Sequence, residues 1–536
     1  MHQFTALYAA LDATTGTNAK VRALCAYYRE APPLDAAWAT YFLSGRRLRR
    51  VVRTADLRGA ALRLTGLPEW LFDASYDAVG DLAETIALLL PPPVRATPAT
   101  LSWWVEERVA SLANLDSEQV QERLVAAWAE LERDERFVLG KLLTGAFRVG
   151  VGRELVHRAL GEVAGVPPGD VAQRLTGPWQ PSSLFWEHVR GDTAPERRAH
   201  QPYPFCLAHP LEAAPESLGS PDDWQVEWKW DGVRVQVVVR DGEVTLWSRG
   251  EELVSGQFPE IVAAARALPS GTVLDGEVVA WDVSHARPAT FAALQRRIGR
   301  KDPSAKMLRD HPVRMLAYDV LEAGGTDVRE VPLVRRRATL ESIVVALPDS
   351  ARWCIALPEL LTERSWADLA VLRGAARAHA AEGLMLKLRD SRYAAGRARG
   401  HWWKWKMEPF NVDAVLVYAQ PGSGRRASLY TDYTFAVWQN DALVPFAKAY
   451  SGLTDAELRQ VDNWIRSHTL ERFGPVRSVE PVQVFELAFE AIQASSRHKS
   501  GVAVRFPRIA RWRKDKPARE ADTLETLQAL ARSMVQ

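Results

Sequence analysis

At 536 residues, 47% of them hydrophobic and 25% charged, the chain has a globular composition and is too long for one ordinary core, so about three domains are expected. Its 68 basic and 66 acidic residues leave a net charge of +2 at pH 7, a balance that excludes no partner class because charge can still be segregated by face. The three scattered cysteines, Cys25, Cys206 and Cys354, exclude a zinc ribbon and make a disulfide framework improbable.

No basic stretch followed by an apolar core opens the chain. The longest apolar run, Ile86 to Leu90 before three prolines, cannot span a bilayer. A cytoplasmic protein with no membrane partner is expected.

From Met1 to about residue 200 the pattern is helical, with apolar residues at three- and four-residue spacing over Phe4 to Leu11, Asn18 to Ala31, Ser75 to Leu90 and Ser117 to Glu132. Caps punctuate it at Asp116-Ser117 and Gly16-Thr17-Asn18. The run Thr14 to Lys20, with Thr17, Asn18 and Lys20, sets small polar residues at a helix start, where free N–H groups can receive a phosphate. Lys141 to Gly152 is a glycine-punctuated turn carrying Lys141, Arg148 and Arg153. Ordinary capping and a tight interhelical turn explain either stretch equally well. Phosphate contacts of this sort are blind to sequence and suit a protein that grips duplex backbone. The basic cluster Arg46-Arg47-Leu48-Arg49-Arg50 reads first as solvated surface.

Residues 201–222, rich in proline and turn formers, read as a linker. Strands and turns follow: Val233 to Arg240, a hairpin at Asp241-Gly242, Val244 to Trp247, Thr272 to Trp281, Val313 to Leu321 and Gly383 to Lys387. Helices are expected at Gln257 to Leu268, Thr290 to Arg297, Leu333 to Val345 and Ser365 to Ala381. Beyond residue 408, short strands at Val412 to Tyr418, Tyr433 to Gln439, Leu443 to Tyr450 and Val482 to Phe489, a turn at Pro421 to Arg425 and a helix at Thr454 to His468 fit a small OB-type barrel. A sandwich is the competing reading, and a last helix, Ala521 to Met534, caps the chain. The multidomain expectation is therefore an all-α domain (1–200), a linker (201–222), an α+β domain (223–408) and an OB-fold β-barrel (409–536).

Lys229 sits at the end of an apolar strand between Trp228 and Trp230, before Asp231-Gly232 and Arg234. Desolvation disfavours its ammonium form, and a lysine must be neutral to attack an electrophile. Alone, a snorkelling lysine packed on tryptophans would be the better reading. Its company decides otherwise. Arg249 follows a strand in Ser248-Arg249-Gly250, Glu277 enters a valine-rich strand, Tyr318 offers a ring to a base, Glu382 precedes a strand holding Lys387, and Lys404 and Lys406 share a strand face with the tryptophans on the other. Buried charges this numerous either pair with one another or hold something multiply charged. Pairing explains each one singly and the ordered set poorly; a triphosphate site needs a nucleophile, carboxylates for divalent metal and cations for phosphates.

The motifs Lys229-x-Asp231-Gly232-x-Arg234, Ser248-Arg249-Gly250, Asp275-Gly276-Glu277, Tyr318-Asp319, Glu382-Gly383-x-x-x-Lys387 and Trp402-x-Lys404-x-Lys406 resemble the ordered motifs of the covalent nucleotidyltransferases. Phe506-Pro507-Arg508 with Arg513-x-Asp515-Lys516 is similar to the last motif of ATP-dependent DNA ligases, and the whole chain resembles their bacterial three-domain type. The resemblance implies that Lys229 attacks the α-phosphate of ATP, Glu227 contacts the adenine amino group and Tyr318 stacks on the base. It implies further that Arg234 and Arg249 hold ribose and phosphate, with Glu277 near the ribose. Glu277 and Glu382 then bind Mg2+ or Mn2+, and Lys404 and Lys406 sit on the α-phosphate. Arg513 and Lys516 reach the ATP phosphates from the OB domain. Thr17, Asn18, Lys20, Lys141 and Arg148 grip nicked double-stranded DNA, and the protein is a nucleoid-associated bacterial monomer. Tyr318 stands where phenylalanine is more usual. RNA ligases and capping guanylyltransferases share the nucleotidyl core, and a catalytically dead DNA clamp is the alternative from another class; the helical first domain and the Arg-x-Asp-Lys ending favour a DNA ligase.

Overall fold

In the computed structural model all residues are described except 15, 49–50, 146, 148, 178, 192–200, 423–428, 497 and 534–536. The chain divides into two compact units, Met1–Val156 with Glu408–Gln536, and His157–Met407. Within the second unit, Gln201 Nε2 donates to the carbonyls of Gln173 and Thr176 at 2.8 and 2.7 Å, which ties residue 201 to the helix Pro168–Leu175.

Residues 1–156 are helical because their apolar residues recur on one face. In the helix Thr17–Glu30, Val21, Leu24, Cys25 and Tyr28 are buried at the expected spacing. The single helix expected over Ser75 to Leu90 is two, Glu69–Val79 and Leu82–Leu89. Gly80, at φ +77°, ends the first in a left-handed cap, and the Asp81 side chain accepts from the Glu84 N–H to start the second.

The second unit carries two antiparallel-rich sheets. One has the order His209–Pro210, Trp402–Lys406, Ala381–Leu388, Trp224–Trp230, Leu360–Leu361. The other runs Glu243–Ser248, Val233–Arg240, Thr272–Asp282, Val313–Ala323, Thr326–Asp327, with short strands added at Arg287–Pro288 and Ile355–Ala356. Alternation along Val233–Arg240 and Thr272–Asp282 sends Val235, Val237, Leu274 and Val278 into one core with the helices Pro259–Ala265 and Leu333–Val345. The opposite face of that sheet contributes Val238, Val273 and Tyr318 to an aromatic cluster that also holds Tyr393 and Trp402 of the first sheet's side. The helix expected over Ser365 to Ala381 stops early: Trp366–Ala375 is α-helical, a 3₁₀ turn follows, and Ala380 at φ +55° turns the chain into the strand Ala381–Leu388.

After residue 408 the structure is β-rich, consistent with the expected barrel. The long strand Phe410–Pro421 pairs with Val484–Phe489 along its first half, with Val476–Val479 further on, and with Tyr430–Gln439 on its other edge. One bent strand serving three partners lets a sheet curl toward closure. The helix Asp455–Ser467 and the terminal helix Leu524–Ser533 seal its core through Val461, Ile465, Leu524 and Leu527. The turn expected at Pro421 to Arg425 lies partly outside the described residues.

Candidate active site

Period-two alternation builds the site. On the strand Trp224–Trp230 one face carries Gln225, Glu227 and Lys229, while Trp224, Val226 and Trp228 pack into a core with Trp366, Leu369 and Trp405. The lysine is therefore presented by a strand whose other face is locked in apolar contact.

Simple alternation would send Glu382 into that same core, since Leu384 and Leu386 of its strand lie there. It does not go there. The register against Trp224–Trp230 shifts between Ala381 and Leu384, and Gly383 sits at φ +139° with no room for a side chain: a Cβ would come within 2.3 Å of the Trp405 carbonyl oxygen. This bulge turns the Glu382 carboxylate onto Lys229, whose Nζ donates to it. Lys406 Nζ lies 3.7 Å from the same carboxylate. Lys404 and Lys406 share a face of Trp402–Lys406 as expected, but Trp402 shares it with them and only Trp403 and Trp405 face away, Trp402 lying in the aromatic cluster with Tyr318 and Tyr393.

The second sheet supplies the remaining groups. Glu277 is opposite Arg234 across the strand pair, and Gly232 allows the close approach, since a Cβ there would meet Val278 O at 2.3 Å and Glu277 Cγ at 2.8 Å. Burial pushes the Glu277 carboxyl up to about 7, with Lys229 and Arg234 pulling it down and Asp275 and Glu382 pushing it further up.

Arg234 is held by protein groups. Its Nε and Nη2 donate to Asp275 at 3.1 and 2.6 Å, its Nη1 to the Cys206 carbonyl at 2.6 Å, and its Nη2 to the Tyr393 hydroxyl at 3.2 Å. That fork fixes the fully buried Asp275. Arg249 is exposed beside it, its N–H donating to the Arg234 carbonyl at 3.2 Å. Asp319 is likewise held, accepting from Arg336 at 2.8 and 2.9 Å with both side chains fully buried.

On the same strand face as Lys229, Glu227 is held by Gln225 and Lys387, and the Lys387 ammonium lies 3.9 Å from the Tyr318 ring centroid. The Arg234 guanidinium carbon lies 5.8 Å from the same centroid, and the Tyr318 hydroxyl donates to Asp275 at 3.3 Å. Asp275 and Lys387 were legible as motif residues without a role, and Tyr393 gave no signal; their partners lie 41, 160 and 118 residues away, a distance no local pattern bridges.

Two residues expected to grip phosphate are buried against partners within the protein. Lys20 is buried, its Nζ donating to the Val149 and Gly150 carbonyls at 2.7 and 3.0 Å. Lys141 is buried and paired with Asp81. Each ammonium ties helix to turn, where the nearest acceptor was worth more than solvent. Thr17 and Asn18 are exposed at the start of their helix, and Arg148 lies outside the described residues. In the C-terminal part, Arg513 Nη1 and Lys516 Nζ both donate to Asp413 Oδ2, at 2.9 and 2.8 Å. No group of three or more acidic, histidine or cysteine side chains that could hold a metal occurs among the described residues. Nor is any described helix long and apolar enough to cross a membrane.

Three family models match in chain order: "DNA ligase N terminus" over residues 1–161, "ATP dependent DNA ligase domain" over 205–406 and "ATP dependent DNA ligase C terminal region" over 426–516. A "Probable DNA ligase" of Koribacter versatilis is 34% identical over 552 residues, covering 98% of this chain and 95% of that protein. Another "Probable DNA ligase", from Streptomyces griseus, is 30% identical and covers 96% of each. Among solved structures, "Pmar-Lig_PreS3" superposes with a TM-score of 0.60 over 95% of this chain and 99% of that one, at 15% identity, a likeness of fold.

Proposed function

The chain belongs to the ATP-dependent DNA ligases, whose general mechanism is nick sealing through a lysyl-AMP intermediate, and from that membership we propose that Lys229 is the residue that carries the AMP. The observation that carries this reading is the Lys229–Glu382 contact, made across two strands and dependent on the Gly383 bulge. The Lys229 nitrogen must shed a proton to solvent before it attacks, and the contact with Glu382 fixes where that nitrogen stands. The nitrogen then forms a bond to the α-phosphorus as the bond to pyrophosphate breaks. A 5′-phosphate oxygen at a nick in duplex DNA takes the AMP from Lys229, and the 3′-hydroxyl displaces AMP to close the strand.

Lys404 and Lys406 supply positive charge at the α-phosphate, where charge builds in each in-line transfer. Glu227 reads the base and Tyr318 stacks on it. Glu277 and Glu382 would hold a divalent cation, Mg2+ or Mn2+; a carboxyl raised to about 7 by burial is one that a cation would relieve, and two carboxylates suit an ion that keeps water and phosphate as its other ligands. When bound, such an ion neutralises charge on the phosphate oxygens. Thr17 and Asn18, at an exposed helix start, and the exposed Arg47 meet the duplex backbone, and the protein acts as a monomer.

Incubation with α-labelled ATP tests the reading. The wild-type protein becomes covalently labelled by ATP and not by GTP, and Lys229→Ala loses label and nick sealing by roughly 1,000-fold or more. Labelling by GTP, or sealing by Lys229→Ala at the wild-type rate, refutes it.

A further inference from the structure

Glu227 has no freedom in this structure. Its Oε1 accepts from Gln225 Nε2 at 2.6 Å and its Oε2 from Lys387 Nζ at 2.8 Å, the Glu227 and Lys387 side chains being 3% and 1% exposed. Lys387 is opposite Gln225 on one neighbouring strand and opposite Trp402 on the other. Its ammonium lies 3.9 Å from the Tyr318 ring centroid and 4.7 Å from that of Trp402. A lysine so enclosed is tolerated only because a carboxylate and two aromatic faces replace water around it. The same lysine dictates what Glu227 can be. A carboxylate paired with an ammonium only accepts hydrogen bonds, whereas a buried carboxyl group deprived of its cation is in general favoured as the neutral acid, whose O–H can donate.

The difference matters for a purine. Adenine presents an exocyclic amine, a donor, where guanine presents a carbonyl, an acceptor. A fixed carboxylate attracts the first and repels the second, while a neutral acid or an amide accommodates either. We propose that Lys387 is the positioning residue for base selection: by pairing with Glu227 it keeps that side chain a pure acceptor, so that the pocket takes adenine nucleotides and rejects guanine nucleotides. The proposal rests on the reading that Glu227 meets the base.

Self-nucleotidylation of Lys387→Met and Glu227→Gln, measured with α-labelled ATP and GTP on the full chain, tests it. In Lys387→Met the KM for ATP rises about ten-fold or more while the rate at saturating ATP stays within about three-fold, because base binding and not phosphoryl transfer is weakened. Its preference for ATP over GTP falls by about ten-fold or more, since a donor-capable side chain no longer rejects the carbonyl. Lys387→Arg keeps the preference. An unchanged preference in folded Lys387→Met overturns the proposal. If Glu227→Gln loses discrimination while Lys387→Met keeps it, the part given to Lys387 alone is wrong. If both keep it, the assignment of Glu227 to the base fails as well. Should Lys387→Met not fold, the double variant Lys387→Met with Glu227→Gln removes both charges and stands in for it. A residue that acts only through Glu227 leaves the double variant with the ATP preference of Glu227→Gln, and any further loss overturns the proposal.

Discussion

Glu277 shows what one side chain can cost. Its carboxyl ordinarily titrates near 4.5 and is raised to about 7, chiefly by burial. The folded chain therefore binds this proton more tightly than the unfolded chain, so the stability it contributes is whole below the ordinary value and is lost as pH rises through about 7. Glu277→Gln is expected to melt higher than wild type at about pH 8, by an amount worth at most about 3 kcal/mol, with the gap closing near pH 5. Differential scanning calorimetry without nucleotide or divalent cation reads this directly, and a gap that ignores pH would refute it. The gain comes with a loss of adenylation, as expected where a site is kept under strain for its chemistry. At this scale the sequence was legible in part. A charge in a valine-rich strand is conspicuous, and Glu277 and Lys229 stand out that way. The partners of Lys20 and Lys141, the Val149 carbonyl and Asp81, are 129 and 60 residues away, beyond the reach of any local pattern.

Among the elements, the strand Ala381–Leu388 depends most on one residue. Gly383→Ala places a Cβ 2.3 Å from the Trp405 carbonyl oxygen at a φ of +139° that a side chain resists, so the bulge must shift and Glu382 with it. Lysyl-AMP formation should fall by about 100-fold, the scale of a misplacement near 1 Å, while ATP still binds. Gly374→Ala, in the helix Trp366–Ala375 with open space around the new methyl, should leave the rate alone and gain up to about 1 kcal/mol of stability. Equal rates in the two variants would show that the bulge is not needed. The strands themselves, and the face shared by Glu227 and Lys229, follow from alternation and could be read from sequence. The direction of Glu382 could not, because alternation gives the wrong face and only the bulge corrects it. The same holds for Ser75 to Leu90, where an apolar period runs through Gly80 and only the caps reveal two helices.

For the molecule as a whole, the succession of helical, mixed and barrel-like parts was legible from the change in apolar period. The bonds of the Gln201 side chain to the carbonyls of Gln173 and Thr176 carry no such signal. Separate units predict separable functions. Arg47 is exposed beside Gly145 in the first unit, and Lys229 belongs to the second. Arg47→Ala should reduce the slope of log Kd for nicked DNA against log salt by about one, and leave labelling by ATP unchanged. A slope equal to wild type would remove Arg47 from the DNA-binding surface. Glu382 lies between two ammonium groups, Lys229 in hydrogen-bond contact and Lys406 3.7 Å away. A phosphoramide nitrogen carries no positive charge, so on the reading that Lys229 takes the AMP, adenylation removes one of the two cations beside this carboxylate and makes Lys406 the one that remains.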